Sequence, residues 1–201
     1  MYQYTDEVYE EVDFSHSDKR DGELQHCTFK RCKFRGTSLE EIQTIGCSFI
    51  ECDFRDAALN ASIHQESAFM NCQFSGANLF VAKFINCKMT GSDFTHAQMD
   101  GITISKGDWS YTNLRHLNFS KQDLRGIRLV EADLYGCNLE KSDLRGADLT
   151  SVQLASSKLH GVDFRGAILD GIDFRSLELK GVRMDIVHGA AFLRALGAKV
   201  E

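Results

Sequence analysis

Seven cysteines and seven histidines are the residues of this chain best suited to chemistry, and the cysteines open with a regular spacing. In CTFKRCKF, Cys27 and Cys32 lie five apart, and Cys47 with Cys52 repeats the interval. Paired thiols at short spacing could hold a soft metal ion or close a disulfide framework. The rest of the chain supplies neither a second ligand set nor a nucleophile's partner. No Cys and His stand at metal-ligand spacing, and no GxSxG, HExxH, Walker A or GxGxxG segment occurs. His96 and His116 could meet at a surface, where solvated histidines are the simpler reading. Carboxylates recur beside arginines, as in Asp123/Arg125, Asp143/Arg145 and Asp163/Arg165, in the manner of exposed ion pairs rather than a general acid and base. An enzyme is not expected, and no cofactor.

The elements that position these residues follow from a period of five. Stepping from Phe14 to Met184 in fives visits 35 positions, and all except Lys19, Thr44 and His64 are Leu, Phe, Met, Ile or Trp. Two residues before each large side chain lies a mostly small one: Cys27, Cys32, Thr37, Cys47, Cys52, Ala57, Ala147. Twelve of the 16 glycines fall two residues after it, which marks a tight turn at one fixed phase. The residue just before it is often Asp or Asn, as at Asp53, Asp93 and Asn138. A period of five suits neither a 3.6-residue helix nor a two-residue strand, so each unit is a short extended piece followed by a turn.

If four units close a square coil, residues 20 apart stack. Phe14, Phe34, Phe54, Phe74 and Phe94 form one such series; Phe29, Phe49 and Phe69 form another; Leu39, Leu59 and Leu79 a third. Backbone groups would then pair with the coils above and below, and proline would delete a donor each time, which accounts for a chain with no proline at all. All seven cysteines, Cys27, Cys32, Cys47, Cys52, Cys72, Cys87 and Cys137, occupy the small inward position. They are expected to be core residues, with stacked pairs poorly oriented for disulfides.

The stretches CNLEKSDLRGADLTSVQL and LHGVDFRGAILDGIDF resemble the A(D/N)LXX signature of the pentapeptide-repeat family. The resemblance covers about residues 12 to 184 and implies an all-β solenoid, a right-handed quadrilateral parallel β-helix, with the large and the small residue of each unit pointing inward. Residues 1–184 would form about nine four-sided coils, a rod of roughly 43 Å at ~4.8 Å per coil. Two stretches weaken the frame. Thr44 and His64, 20 apart, are expected as stacked neighbours within 42–66, forming a polar pocket, an outward bulge or a locally satisfied histidine. In 100–114, Ile102 and Gly107 replace the usual small residue, so a repacked bulky coil is expected there rather than a loop. After Met184 the frame ends, and 185–201 is read as a short C-terminal α-helix of about eleven residues with its tail. Asp185 caps it and Gly197 ends it. Its apolar residues cover nearly the whole circumference. Ile186, Val187, Ala190, Phe192, Leu193 and Leu196 are therefore the candidate interface of a two-fold homodimer that also caps the open coil; a monomeric cap is the alternative.

The formal charge of −6 argues against direct nucleic-acid binding through a basic surface. The acidic N-terminus and the short apolar runs give no secretory signal or membrane span, and a cytoplasmic protein is expected. One of the four faces holds eight acids against four bases. Its candidate contact residues are Glu10, Glu11, Glu51, Asp108, Glu131, Asp148 and Asp170. An unbroken frame, an acidic rod and an apolar C-terminal helix resemble the gyrase-binding members of the family, the MfpA, Qnr and AlbG type. That resemblance implies a DNA mimic that binds DNA gyrase, with topoisomerase IV a further target, and protects it from a poison such as albicidin or a quinolone. The alternatives are a passive interaction scaffold with another protein partner, and an immunity factor that binds the drug itself at Thr44/His64.

Overall fold

The structure is a computed structural model, and residues 2–200 are described. Three-residue strands alternate with turns along the chain: β1 (Gln3–Thr5), β2 (Val8–Glu10), β3 (Glu23–Gln25), β4 (Thr28–Lys30), β5 (Gln43–Ile45), β6 (Ser48–Ile50), β7 (Ile63–Gln65), β8 (Ala68–Met70), β9 (Lys83–Ile85) and β10 (Thr103–Ser105). They form two parallel sheets, β1-β3-β5-β7-β9-β10 and β2-β4-β6-β8. Every pair is in a register of 20 residues, from Gln3↔Glu23 to Lys83↔Thr103. Single parallel bridges continue that register on all four faces, including Asp13↔Lys33, Ser38↔Ala58, Arg128↔Asp148 and Asp163↔Arg183. The fold is a four-sided parallel β-helix.

Its local geometry explains the five-residue code. The Asp or Asn before the large residue accepts a hydrogen bond from the backbone N–H two residues on, at 3.0 Å in Asp53–Arg55 and 2.9 Å in Asp133–Tyr135. This turns the chain. The residue two after the large one then takes a left-handed conformation whether or not it is glycine; His26, Glu51, Asn71 and even β-branched Val81 sit at φ between 52° and 55°. Glycine is the low-strain choice at this phase, and the fold overrides its absence. Backbone pairing alternates in direction: Phe34 N–H donates to the Asp53 carbonyl in the next coil at 2.7 Å, and Lys33 N–H to the Val12 carbonyl in the preceding one at 2.9 Å.

The interior is a stack of ladders. Phe14, Phe34, Phe54, Phe74 and Phe94 lie ring on ring, 4.8–5.1 Å between centroids and 1–15° between planes. Tyr9, Phe29, Phe49 and Phe69 form a second ladder at 4.6–5.1 Å. Across the core the two meet edge to face, as in Phe29–Phe34 at 5.5 Å and Phe54–Phe69 at 5.9 Å. From Leu114 to Phe174 the large residues are mainly leucines, also buried.

The ladder is interrupted twice. No backbone hydrogen bond joins residues 96–106 to 115–125, although the remaining two faces of the same coils stay paired through Phe94 N–H to Asn113 and Trp109 N–H to Arg128. The last coil, 173–180, is likewise unpaired with 154–161. Both breaks coincide with bulky residues at the small inward position: Ile102 stacked on Gln122 with Leu117 at the adjoining corner, and Ile172 and Leu177 in the last coil. Neither 42–66 nor 100–114 leaves the coil as a loop, since β5, β6, β7 and β10 lie within them.

The chain ends in α1 (Ile186–Ala195), ten residues long. Asp185 precedes it in an extended conformation, and the Asp185 backbone N–H donates to His188 Nδ1. The last turn closes through Ala198 N–H to the Leu193 carbonyl, with Gly197 at φ 91°.

Candidate functional site

The cysteines lie where the spacing places them. All seven are free and buried. Five of the thiols reach carbonyls of the preceding coil, among them Cys72 Sγ to Phe49 O at 3.4 Å, Cys87 to His64 O at 3.3 Å and Cys137 to Leu114 O at 2.9 Å, whereas Cys27 and Cys47 reach Gln25 O and Ile45 O of their own coil. Thr37 and Ser92, at the same phase, make the equivalent bond to Phe14 and Phe69. Cysteine thus serves as a small residue with a weak donor. Burial pushes the thiols of Cys47 and Cys87 up to about 11 and that of Cys137 to about 12, so the reactive thiolate is suppressed at these three at neutral pH. Among the described residues no group of three or more His, Cys, Asp or Glu could hold a metal ion.

Thr44 and His64 are register partners and touch. Thr44 Oγ1 lies 2.8 Å from His64 Nδ1 and 3.0 Å from Ser67 Oγ, and His64 Nε2 lies 3.0 Å from Ser62 Oγ. The imidazole occupies the place of a phenyl ring, 4.7 Å from Phe84 and edge-on to Phe69 at 5.0 Å. It is fully buried, and burial depresses its pKa to about 3, so it is neutral. Beside it the cavity is about 10 Å³, at the threshold for one water and far too small for a drug.

Glu10, Glu11, Glu51, Asp108, Glu131, Asp148 and Asp170 fall on one face and its corner, as the 20-residue register requires. Basic residues interleave with four of them. Arg31 pairs with Glu10 at 2.6 Å and Glu11 at 2.9 Å; Arg128 bridges Asp108 at 3.2 Å and Asp148 at 3.5 Å. Glu51, Glu131 and Asp170 have no ion-pair partner among the described residues. Pairing redistributes this face's charge without cancelling its net acidity. On the adjoining face, Arg125, Arg145 and Arg165 fork onto Asp123, Asp143 and Asp163, each at 2.6 Å. Asp163 is held down to about 2 by the guanidinium of Arg165.

The six apolar residues nominated on α1 divide into two sets. Phe192 packs on the core, edge-on to Phe174 at 6.1 Å, and Ala190 is half-buried. Ile186, Val187, Leu193 and Leu196 are exposed, Ile186 at 92%. His188 Nε2 at 2.9 Å from the Ala167 carbonyl and Arg175 Nε at 2.6 Å from that of Ala195 hold the helix on the last coil. Among the described residues no helix is long and apolar enough to cross a membrane.

The pattern that defines pentapeptide repeats matches the chain in eight copies, over residues 27–63, 52–91, 72–106, 112–150 and 157–185. The chain belongs to the pentapeptide-repeat family. Among solved structures, a trypsin-treated variant of QnrB1, a plasmid-mediated fluoroquinolone resistance protein, superposes with a TM-score of 0.87 at 22% identity, over 100% of both chains. A second trypsin-treated variant gives 0.81 at 22% identity, over 96% of this chain and 99% of that one. Full-length QnrB1 gives 0.73 at 20% identity, over 98% and 100%. No curated protein matches the sequence significantly. The pentapeptide-repeat matches lapse at 107–111 and 151–156, beside the two interruptions of the ladder. The arginine partners of the acidic face were legible in principle, since Glu11 and Arg31, or Asp108 and Arg128, are 20 residues apart.

Proposed function

We infer that this pentapeptide-repeat protein is a non-enzymatic ligand of a type II topoisomerase, DNA gyrase first and topoisomerase IV second. It acts in the cytoplasm and shields its target from a poison such as a quinolone or albicidin. The observation that carries the reading is the end-to-end likeness to a fluoroquinolone resistance protein, over 100% of both chains. A narrow rod with a net acidic face suits a protein surface that otherwise receives duplex DNA. The fully satisfied Thr44/His64 cluster leaves no room for direct drug binding. Supercoiling and cleavage-complex assays with purified gyrase test this reading. The protein is expected to restore supercoiling in the presence of a quinolone or albicidin; no effect on gyrase, with or without drug, would sink it.

The exposed face of α1 is assigned to a two-fold contact with a second copy. Two-fold pairing would cover Ile186, Val187, Leu193 and Leu196 together, while Phe192 stays on its own coil. Leu193→Asp is expected to halve the mass seen by sedimentation while leaving the β-helix circular dichroism intact. An unchanged mass would mean that the helix merely caps its own chain.

A further inference from the structure

The central interruption leaves two strand edges facing one another across an open groove of about 480 Å³, lined by Thr103, Ile104, Ser105, Lys106, Asp123 and Arg125. In the regular coils, the N–H groups at the large and the turn positions donate to the next coil. At the interruption, those of Met99, Gly101, Ile104 and Lys106 find no backbone acceptor, nor do those of Asn118 and Asp123 reach back to Ala97 and Ile102. The break spans two adjacent faces, so the rod is notched on one side and continuous on the other. Ile102 and Gln122 succeed one another there, in a column where the coils on either side place Ala82 and Ser142.

We propose that this notch binds an extended, acidic segment of a partner protein by strand addition to both lips. The unpaired N–H and C=O groups call for a ligand that carries the complementary alternation, which is a peptide backbone. The side chains set its composition. Residues 96–106 and 115–125 carry Lys106, Arg115, Lys121 and Arg125 against Asp100 and Asp123, a basic stretch in an acidic protein. Lys106 and Lys121 have no ion-pair partner among the described residues. On the coil before the notch, Phe80 is 53% exposed and Val81 37% at one corner, and Ile85 37% at the next, giving apolar contacts for outward side chains of the segment. Behind the notch, Trp109 is fully buried with its indole N–H unpartnered, beside a cavity of about 10 Å³ that Ile104 and Leu124 also line. The proposal stands independently of the topoisomerase reading, because it uses neither the acidic face nor α1.

The test uses the full chain and three capped heptapeptides: alternating Glu and Val, the same peptide N-methylated at every second residue, and alternating Lys and Val. Trp109, the single tryptophan, reports binding through its fluorescence, and amide exchange reports the lips. The Glu–Val peptide is expected to bind saturably and to slow exchange at Met99, Gly101, Ile104 and Lys106 by about tenfold or more, as new hydrogen bonds require. The N-methylated and Lys–Val peptides should bind at least about tenfold more weakly. Equal binding of the N-methylated peptide, or no slowing of exchange on the lips, would overturn the proposal. Two variants separate the causes. Ile102→Ala with Gln122→Ala is expected to close the ladder, protecting the same amides without peptide and abolishing binding. Lys106→Glu with Lys121→Glu leaves the core untouched and should reverse the preference toward the Lys–Val peptide; an unchanged preference counts against the proposal.

Discussion

Replacing Phe54 by Ala is expected to remove about 3–5 kcal/mol of stability, the range for deleting a buried aromatic side chain. Phe54 is 1% exposed and sits in mid-ladder, with Phe34 at 4.8 Å on one side and Phe74 at 4.9 Å on the other, rings within 4° of parallel. Phe49 and Phe69 meet its edge at 5.5 and 5.9 Å. Truncation therefore strips contacts from three coils at once, and the rigid stack cannot collapse onto the space without breaking the hydrogen-bond register. In a solenoid each coil is stabilised chiefly by its neighbours, so the loss should spread outward along the rod. Denaturant unfolding followed by circular dichroism measures the total, and amide exchange shows where it falls. Phe54→Leu should cost markedly less, because the coils from Leu114 onward run the same position in leucine. A loss for Phe54→Ala within measurement error of that for Phe54→Leu would show that stacking geometry contributes little.

The ladder was legible because its residues repeat in type at intervals of five and 20, and only a closed four-unit coil brings residues 20 apart into contact. The cysteines are legible for the same reason: their phase, not their spacing to one another, places them inside. Other features depend on quantities that a one-dimensional frame does not carry. The notch is one. The frame of large residues runs through 100–114 without losing phase, and Trp109 holds its place. The signal lies in Ile102 and Gln122, two bulky residues at the small position, and it becomes informative only once the coil length makes them neighbours. The turn conformation is another. Glycine marked it, yet His26, Glu51 and Asn71 adopt it too, although Glu23, Ser48 and Ala68 precede their large residues in place of Asp or Asn, because the need to close the square outweighs the cost of a left-handed backbone. On α1, caps at Asp185 and Gly197 could be read directly, whereas the division into covered Phe192 and exposed Ile186, Val187, Leu193 and Leu196 depends on where the helix lands on the last coil.

His64 should make the protein acid-sensitive well above the range in which carboxylates titrate. Its folded pKa is depressed to about 3 by burial, against 6.5 for an ordinary histidine. The folded state therefore refuses a proton that the unfolded chain accepts as soon as the pH falls below 6.5, and unfolding is favoured progressively down to about pH 3. The slope is about 1.4 kcal/mol per pH unit, so near pH 5 the cost reaches about 2 kcal/mol, a large fraction of the margin of a typical domain. Above 6.5 the histidine is neutral in both states and contributes no pH dependence. Thr44→Leu with His64→Phe restores the frame, extends the ring stack from Phe84, and removes the titrating group. Single replacement of His64 is less informative, because Thr44 Oγ1 then keeps only Ser67 as a partner in the core, while Ser62 Oγ loses its His64 contact in either variant. Between pH 4.5 and 6.5, urea unfolding should show wild-type stability falling along the expected slope, while the double variant stays nearly level; parallel slopes would mean that His64 gains its proton without unfolding the coil. The same comparison measures the cost of the polar cluster. If the double variant is the more stable protein even at pH 8, the Thr44–His64–Ser62 network is a sacrifice of core packing, retained at a point where the fold alone would favour leucine and phenylalanine.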